Sequence, residues 1–388
     1  MVYQKKNSAY ERLLELASQE GCEGFREIFT LLMNAAMILE RENYLGASAY
    51  ERSEDRRGYA NGYKPKTVKT RMGSVDLSIP QTRDGNFYPQ SLEKGRRSER
   101  ALGLAIAEMY VQGVSTRNVA AITEQLCGFE ISTSTVSKLT AELDPVLKEW
   151  RERPLERYRY VYLDARYEKV RQGGLVLDSA VLMAAGVNEK GQRDILGVSV
   201  SLSEAEIHWR NFLSDLQKRG MHGVKLIVSD AHAGLREARK ANYGGIPWQR
   251  CQFHLQQNAQ KYVPREEMKK QVAADIRAIF NAPSREEADR LLSKTISTYE
   301  KSAPALSKWM ETDISEGLTV FEFPAEHRTK IRTTNVLERL NREIKRRTQV
   351  ASVFPNENSC LRLVTAIVME TSEEWLTEPQ RYMPEVKN

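Results

Sequence analysis

The sequence predicts a mixed α/β fold carrying an α-helical insertion and preceded by a mainly α-helical N-terminal region. Three observations carry that prediction. The apolar period is helical over 8–45 and 101–143, turns β-prone at residue 158, and is helical again between Val263 and Phe323. From 158 to about 231 the runs follow in the order strand, strand, strand, helix, strand, helix. At 388 residues the chain exceeds one compact core, so two or three domains are expected.

Bulk properties narrow the class. With 41% hydrophobic and 28% charged residues the chain reads as a soluble globular protein. No apolar run approaches membrane-spanning length, and the start MVYQKKNSAYERLL lacks the apolar core of a signal peptide. Cys22, Cys127, Cys251 and Cys360 lie far apart, which suits free thiols in a reducing cytoplasm. The net charge of +6 is modest, but residues 328–347 hold eight Lys or Arg against two Glu, the clustering expected of phosphate contacts.

Taken in order, 8–45 is helical, with Leu13, Leu14 and Leu16 and then Ile28, Phe29, Leu32 and Met33 at apolar positions. In 50–72, Arg52, Arg56, Arg57, Lys64, Lys66, Lys69 and Arg71 interleave with Tyr59 and Tyr63. This is either a nucleic-acid contact or a solvated basic surface. Gly73, between Val68–Met72 and Val75–Ile79, predicts a hairpin, and KGRRSER (94–100), with Arg96 and Arg97, forms a basic link. Residues 101–143 read as a helix-turn-helix unit. One helix runs to about Gln112; a second starts at about Ser115, carries Val119, Ile122 and Leu126 inward and ends at Gly128; a third starts at Ser132 or Thr133. The outer face of the third offers Ser134, Thr135, Ser137 and Lys138 to phosphates or base edges, although a plain three-helix bundle fits the same pattern.

Strands are expected at Tyr158–Leu163, Ala180–Val187, Ile195–Val200 and Val224–Ser229, with a helix from Ile207 to Leu216 and another from about Ala231. That order matches the start of a ribonuclease-H-like mixed sheet, with Asp164 and Asp230 at the ends of neighbouring strands, where α/β sheets build their sites. Helices at 265–281, 284–301 and 303–314 follow, broken by Pro264, Pro283 and Pro304, and a last apolar helix spans about 359–373. Expected boundaries are an N-terminal DNA-binding and dimerisation region at 1–99, the helix-turn-helix at 100–150, the α/β domain at 151–262 and 324–388, and the insertion at 263–323.

The stretch TTNVLERLNREIKRR (333–347) places Leu337, Leu340 and Ile344 on a buried face and leaves Glu338 among Arg339, Arg342, Lys345, Arg346 and Arg347. Glu338 closes a capping box with Asn335, pairs with Arg342, or joins Asp164 and Asp230 around a metal. The aspartates have plain readings too, a strand end for Asp164 and a helix cap for Asp230. Acids brought together at strand ends repel unless a cation compensates, and Mg²⁺ or Mn²⁺ suits oxygen donors. Three carboxylates can hold two such ions about 3.5–4 Å apart for phosphoryl transfer. Cys251-x-x-His254 has no second Cys/His pair nearby, which argues against zinc.

LDA (163–165), SDAHAGL (229–235), RCQFH (250–254) and TTNVLERLN (333–341) resemble the Mutator-type transposases of bacterial insertion sequences, a likeness running from RRGYANGY (56–63) to the last helix. The resemblance implies a DDE triad of Asp164, Asp230 and Glu338 on a ribonuclease-H-like fold, two Mg²⁺ or Mn²⁺ ions per site, and double-stranded DNA as partner. It further implies terminal inverted-repeat binding, 3′-end nicking and strand transfer into target DNA by a copy-out, paste-in route, with His254 as an accessory beside the scissile phosphate. Two ends call for two sites, so a homodimer is expected, cytoplasmic and nucleoid-associated. The competing classes are a DNA-binding regulator with an inert ribonuclease-H-like domain, and a ribonuclease or resolvase of the same fold that cuts without joining.

Overall fold

The computed structural model describes residues 24–384 apart from 93, 96 and 97. The expected helical stretch 8–23, Cys22, Arg96 and Arg97 therefore lie outside the described residues. The chain divides into two compact units, Met1–Glu142 and Leu143–Asn388.

In the first unit a helix, Phe25–Leu45, lies against an antiparallel hairpin of β1 (Ala60–Thr70) and β2 (Gly73–Thr82). Alternation along β2 turns Val75, Leu77 and Ile79 inward onto Met37 and Val68. Three helices follow, Arg100–Val111, Thr116–Cys127 and Thr133–Ala141. The second and third begin where short hydroxyls cap them: Ser115 Oγ accepts the Asn118 amide at 3.2 Å, and Ser132 Oγ accepts that of Thr135 at 3.2 Å. Leu102, Ile106, Val119, Ile131 and Val136 form their core. Leu126 departs from expectation at 75% exposure. Its turn ends at Gly128, and Ile131, Cys127 and Phe129 close that end of the core instead.

The second unit is organised by a five-stranded sheet in the order β5-β4-β3-β6-β7. Its strands are β3 (Tyr158–Gln172), β4 (Leu175–Asn188), β5 (Arg193–Ser201), β6 (Leu226–Ser229) and β7 (Trp248–Arg250). The first three pair antiparallel; β6 runs parallel to β3 and β7 parallel to β6. Tyr160–Leu163, Ala180–Val187 and the whole of β6 are buried, as strands covered by helices on both faces must be. The helices Glu206–Lys218 and Ala233–Tyr243 cover one face through Trp209, Phe212, Leu213, Leu216 and Leu235. Glu266–Phe280, Arg285–Tyr299 and Pro304–Asp313 build a separate core with Val272, Ile276, Leu306 and Met310. The chain then returns through Ala325–Ile331, Asn335–Thr348 and Glu357–Thr377.

Three local readings are corrected. β3 does not end at Asp164: it continues to Gln172 and turns back through Gly173 and Gly174, whose φ of +55° and +86° suit a two-residue hairpin. Asp230 does not cap the next helix, which starts at Ala233 with His232 in the cap position. Asn335 is the first helical residue rather than the cap, and Thr334 precedes it without a side-chain cap bond, so the capping box with Glu338 is not formed. β7, only three residues long, was too short to show a period.

A buried carboxylate joins four segments of this unit. Asp194 accepts hydrogen bonds from Arg153 (3.0 Å), the Tyr158 hydroxyl (2.5 Å) and the Ser372 hydroxyl (2.6 Å). Asp194→Ala would leave the buried Tyr158 phenol without its acceptor and remove the ion pair with Arg153, a loss of about 3 kcal/mol. The thermal midpoint of this unit is expected to fall by on the order of 10 °C in calorimetry; an unchanged midpoint would remove Asp194 from its supports.

Candidate active site

Strand register sets the site. Leu163 of β3 pairs with Ser229 of β6, so the residues that follow, Asp164 and Asp230, emerge side by side where the parallel pairing stops. Val161, Leu163 and Ile227 face the core under Trp209. Alternation therefore sends Tyr160, Tyr162 and Asp164, and likewise Val228 and Asp230, to the opposite face. There the Tyr160 hydroxyl meets His327 Nδ1 at 2.7 Å and the Tyr162 hydroxyl donates to the Lys330 carbonyl at 3.2 Å, which seats the Ala325–Ile331 helix. The Asn335–Thr348 helix follows on the same face, and its Asn341 Nδ2 donates to Asp164 Oδ2 at 2.8 Å.

The two aspartates are held alike. Asp164 Oδ1 accepts the Ala165 amide at 2.9 Å, and Asp230 Oδ1 accepts the Ala231 amide at 2.7 Å. Burial pushes Asp164 up to about 6; the Ala165 amide and the His254 charge oppose this, while Asp230 and Glu204 add to it. The folded chain thus holds the Asp164 proton more tightly than the unfolded chain. Ionising Asp164 costs stability as pH rises from the ordinary 3.8 through about 6, and a bound cation would relieve that cost.

His254 is raised to about 9, first by its hydrogen bond with Cys251, against the effect of burial, and then by the charges of Cys251, Asp230 and Asp164. Burial pushes the Cys251 thiol up, but the His254 and Thr334 hydrogen bonds outweigh it and bring it below its usual value. The Thr334 hydroxyl lies 3.5 Å from Cys251 Sγ. Asp164, Asp230, His254 and Cys251 thus share one electrostatic neighbourhood.

Glu338 is placed differently. It is half-buried one helical turn before Asn341, and its Oε1 is buried without a hydrogen-bond partner. Among the ion pairs of the described residues there is none between Glu338 and Arg342. Among the described residues no three His, Cys, Asp or Glu side chains converge as a ready-made metal cluster. The donors nonetheless suit a hard divalent cation: carboxylate oxygens from two strands, plus two orphaned buried oxygens, Glu338 Oε1 and Asn341 Oδ1, from the facing helix.

Sequence reasoning missed several neighbours. Asn341 is recognisable only once the helix is known, by its i,i+3 relation to Glu338. Glu204, in the loop before the Glu206–Lys218 helix, carried no signal at all. It lies 3.7 Å from His232 Nδ1, hydrogen-bonds with Tyr167 and presses on Asp164 through its charge.

The candidate DNA contacts fare unevenly. In the first unit Lys64, Lys66, Lys69 and Lys94 line an open groove of ≈ 810 Å³ with Phe87 and Tyr88. Ser134, Ser137 and Lys138 are exposed and Thr135 is half-buried; Arg57 is exposed, whereas Arg56 is committed to the Ser48 and Glu51 carbonyls, at 2.9 and 2.5 Å. In the second unit Arg339, Arg342 and Lys345 are exposed, and Arg346 pairs with Glu343 at 2.7 Å. Arg347 is corrected: at 8% side-chain exposure it is bound by Glu343 and Glu370, so it fastens two helices and presents no charge to a partner.

A family model described as "Transposase, Mutator family" matches residues 1–378. Over 372 residues the chain is 55% identical to the transposase for insertion sequence element IS406 of Burkholderia multivorans, covering 95% of each chain. It is 42% identical over 362 residues to the transposase for ISRM5 of Rhizobium meliloti, covering 93% of this chain and 90% of that one. It is 36% identical over 366 residues to the transposase for IS256 in transposon Tn4001 of Staphylococcus aureus, covering 92% of each.

The shift at His254 is directly measurable. Its imidazole is expected to titrate near 9 in NMR, and Cys251→Ala to lower that midpoint by removing the largest raising contact. Because the folded value is raised, the stability His254 contributes is complete below about 6.5 and is lost as pH rises through about 9. A midpoint at the ordinary 6.5 in the parent chain would contradict the described neighbourhood.

Proposed function

This chain belongs to the Mutator family of transposases, and from that premise we propose that it is a metal-dependent DNA transposase with a ribonuclease-H-like catalytic domain. In this reading it binds terminal inverted repeats, nicks 3′ ends and joins them to target DNA by a copy-out, paste-in route. The observation that carries it is the side-by-side emergence of Asp164 and Asp230 beneath a helix whose Glu338 carries a buried, unpartnered oxygen. The sheet order, three antiparallel strands followed by two parallel ones, supports the ribonuclease-H-like assignment.

Asp164, Asp230 and Glu338 would hold two Mg²⁺ or Mn²⁺ ions, which when bound supply charge neutralisation at the attacking and leaving oxygens. The chain's own groups do the rest. Burial around Asp164 lowers the local dielectric and strengthens every charge interaction there. His254, cationic at neutral pH and set beside both aspartates, can donate to a phosphate oxygen, and Cys251 fixes its ring. Lys64 and Lys66 of the hairpin, together with Arg57, Lys138, Arg339, Arg342 and Lys345, neutralise backbone phosphates. The interval between Val263 and Phe323, with its separate core, is read as the insertion domain. Two ends undergoing joining call for two active sites, hence a homodimer working on DNA in the bacterial cytoplasm.

One observation favours a second reading, a DNA-binding regulator with an inert catalytic domain: the three acids do not converge as a ready cluster among the described residues. Activity separates the two. Asp164→Asn, Asp230→Asn and Glu338→Gln should each lower nicking, and joining of a pre-nicked end oligonucleotide to plasmid, by about a thousandfold or more, since each 1.36 kcal/mol of lost transition-state stabilisation is about tenfold. End binding in a gel-shift assay should be retained. A variant that nicks like the parent would falsify its residue's place in the triad. For the hairpin, Lys64→Ala with Lys66→Ala should reduce the slope of log affinity against log salt by about 1.8, roughly 0.9 per phosphate contact. An unchanged slope would remove β1 from the DNA interface.

A further inference from the structure

Asn341 lies one turn after Glu338 on the Asn335–Thr348 helix and makes an unusual pair of contacts. Its amide nitrogen donates to Asp164 Oδ2 at 2.8 Å, whereas its amide oxygen is buried with no hydrogen-bond partner. The orientation has a physical reason: an ionised carboxylate offers only acceptors, so the nitrogen must face Asp164 and the oxygen must turn away from it. Asp164 is consequently fixed at both oxygens, Oδ1 by the Ala165 amide and Oδ2 by Asn341. Glu338 Oε1 is the second orphaned acceptor of the same helix. Two buried lone-pair oxygens without donors are a cost that a cation, or the water around one, removes.

The helix is clamped so that this relation holds. The Arg166 guanidinium donates to the backbone carbonyl of Asn341 and pairs with Glu168 at 2.7 Å, and Glu168 accepts the Thr348 hydroxyl at 2.9 Å. Arg166 and Glu168 lie on the part of β3 beyond Asp164, so one strand carries both the aspartate and the clamp that sets the facing helix against it.

We propose that Asn341 is a positioning residue of the metal site: its amide nitrogen holds the Asp164 carboxylate in the orientation in which its remaining lone pairs meet a divalent cation. This rests on the proposed metal-dependent reading of Asp164, Asp230 and Glu338. A neutral amide is required at 341 because a carboxylate there would repel Asp164, and an apolar side chain would leave Asp164 Oδ2 without its donor.

The test titrates the full chain with Mn²⁺ alone, following heat of binding and thermal midpoint, in the parent and in Asp164→Asn, Asn341→Ala and Asn341→Asp. Asp164→Asn should abolish binding, which checks the underlying reading. Asn341→Ala should weaken Mn²⁺ about 10–100-fold, as loss of a group that orients a ligand does, with end-DNA affinity unchanged. Asn341→Asp should melt below the parent in metal-free buffer at pH 8 and regain the difference on adding Mn²⁺, a rescue that a purely structural role would not give. If Asp164→Asn loses binding but Asn341→Ala binds like the parent, the role of Asn341 is overturned and the metal reading stands. If Asp164→Asn binds like the parent, both fall. Should Asn341→Ala fail to fold, Asn341→Asp decides: absence of Mn²⁺ rescue overturns the proposal.

Discussion

The arrangement of the candidate site depends on where the parallel pairing of β3 with β6 stops. Four residue pairs join these strands, from Tyr160 with Leu226 to Leu163 with Ser229, and the next residue on each is an aspartate. A slip of one residue would send one carboxylate into the core under Trp209, because side chains alternate across a sheet. The two faces differ, which opposes that slip: Val161, Leu163 and Ile227 pack with Trp209 on one side, whereas the Tyr160 and Tyr162 hydroxyls need His327 and the Lys330 carbonyl on the other. A hydrophobic constraint thereby places two charges side by side, a position their mutual repulsion disfavours and a cation would stabilise.

The rest of the second unit follows from that constraint. Because β3 runs on past Asp164, it carries Arg166 and Glu168, which grip the Asn335–Thr348 helix at Asn341 and Thr348. The same helix buries Leu337, Leu340 and Ile344, so its angular setting is fixed by packing, and Asn341 meets Asp164 as a consequence. Arg347, read from sequence as part of a basic face, belongs to this support: it ties its helix to the last one through Glu370. Charge is thus divided along one helix between structure and exposed surface.

Much of this was legible in the sequence. Periodicity located the sheet strands other than β7, and the serines at 115 and 132 marked two helix starts through the chemistry of their hydroxyls. The aspartates were visible because each follows an apolar run. Other features were not legible, for physical reasons. The extension of β3 to Gln172 alternates polar residues on a wet two-stranded ribbon, which resembles a loop in composition. Glu204 sits in an irregular segment and reaches Asp164 only through tertiary placement. Asn341 and Arg166 make a contact between residues 175 apart in sequence. Arg347 could not be told from Arg346 before the position of Glu370 was known.

In the proposed reading three acids distant in sequence hold two divalent cations in one site. Iron-directed cleavage tests it in a single measurement: Fe²⁺ is bound in place of Mg²⁺, ascorbate and peroxide are added, and the cut positions in the backbone are mapped. Cuts are expected close to residues 164, 230 and 338, and excess Mg²⁺ should suppress them together. Cuts confined to the two strands, with none near the helix that bears Glu338, would contradict it.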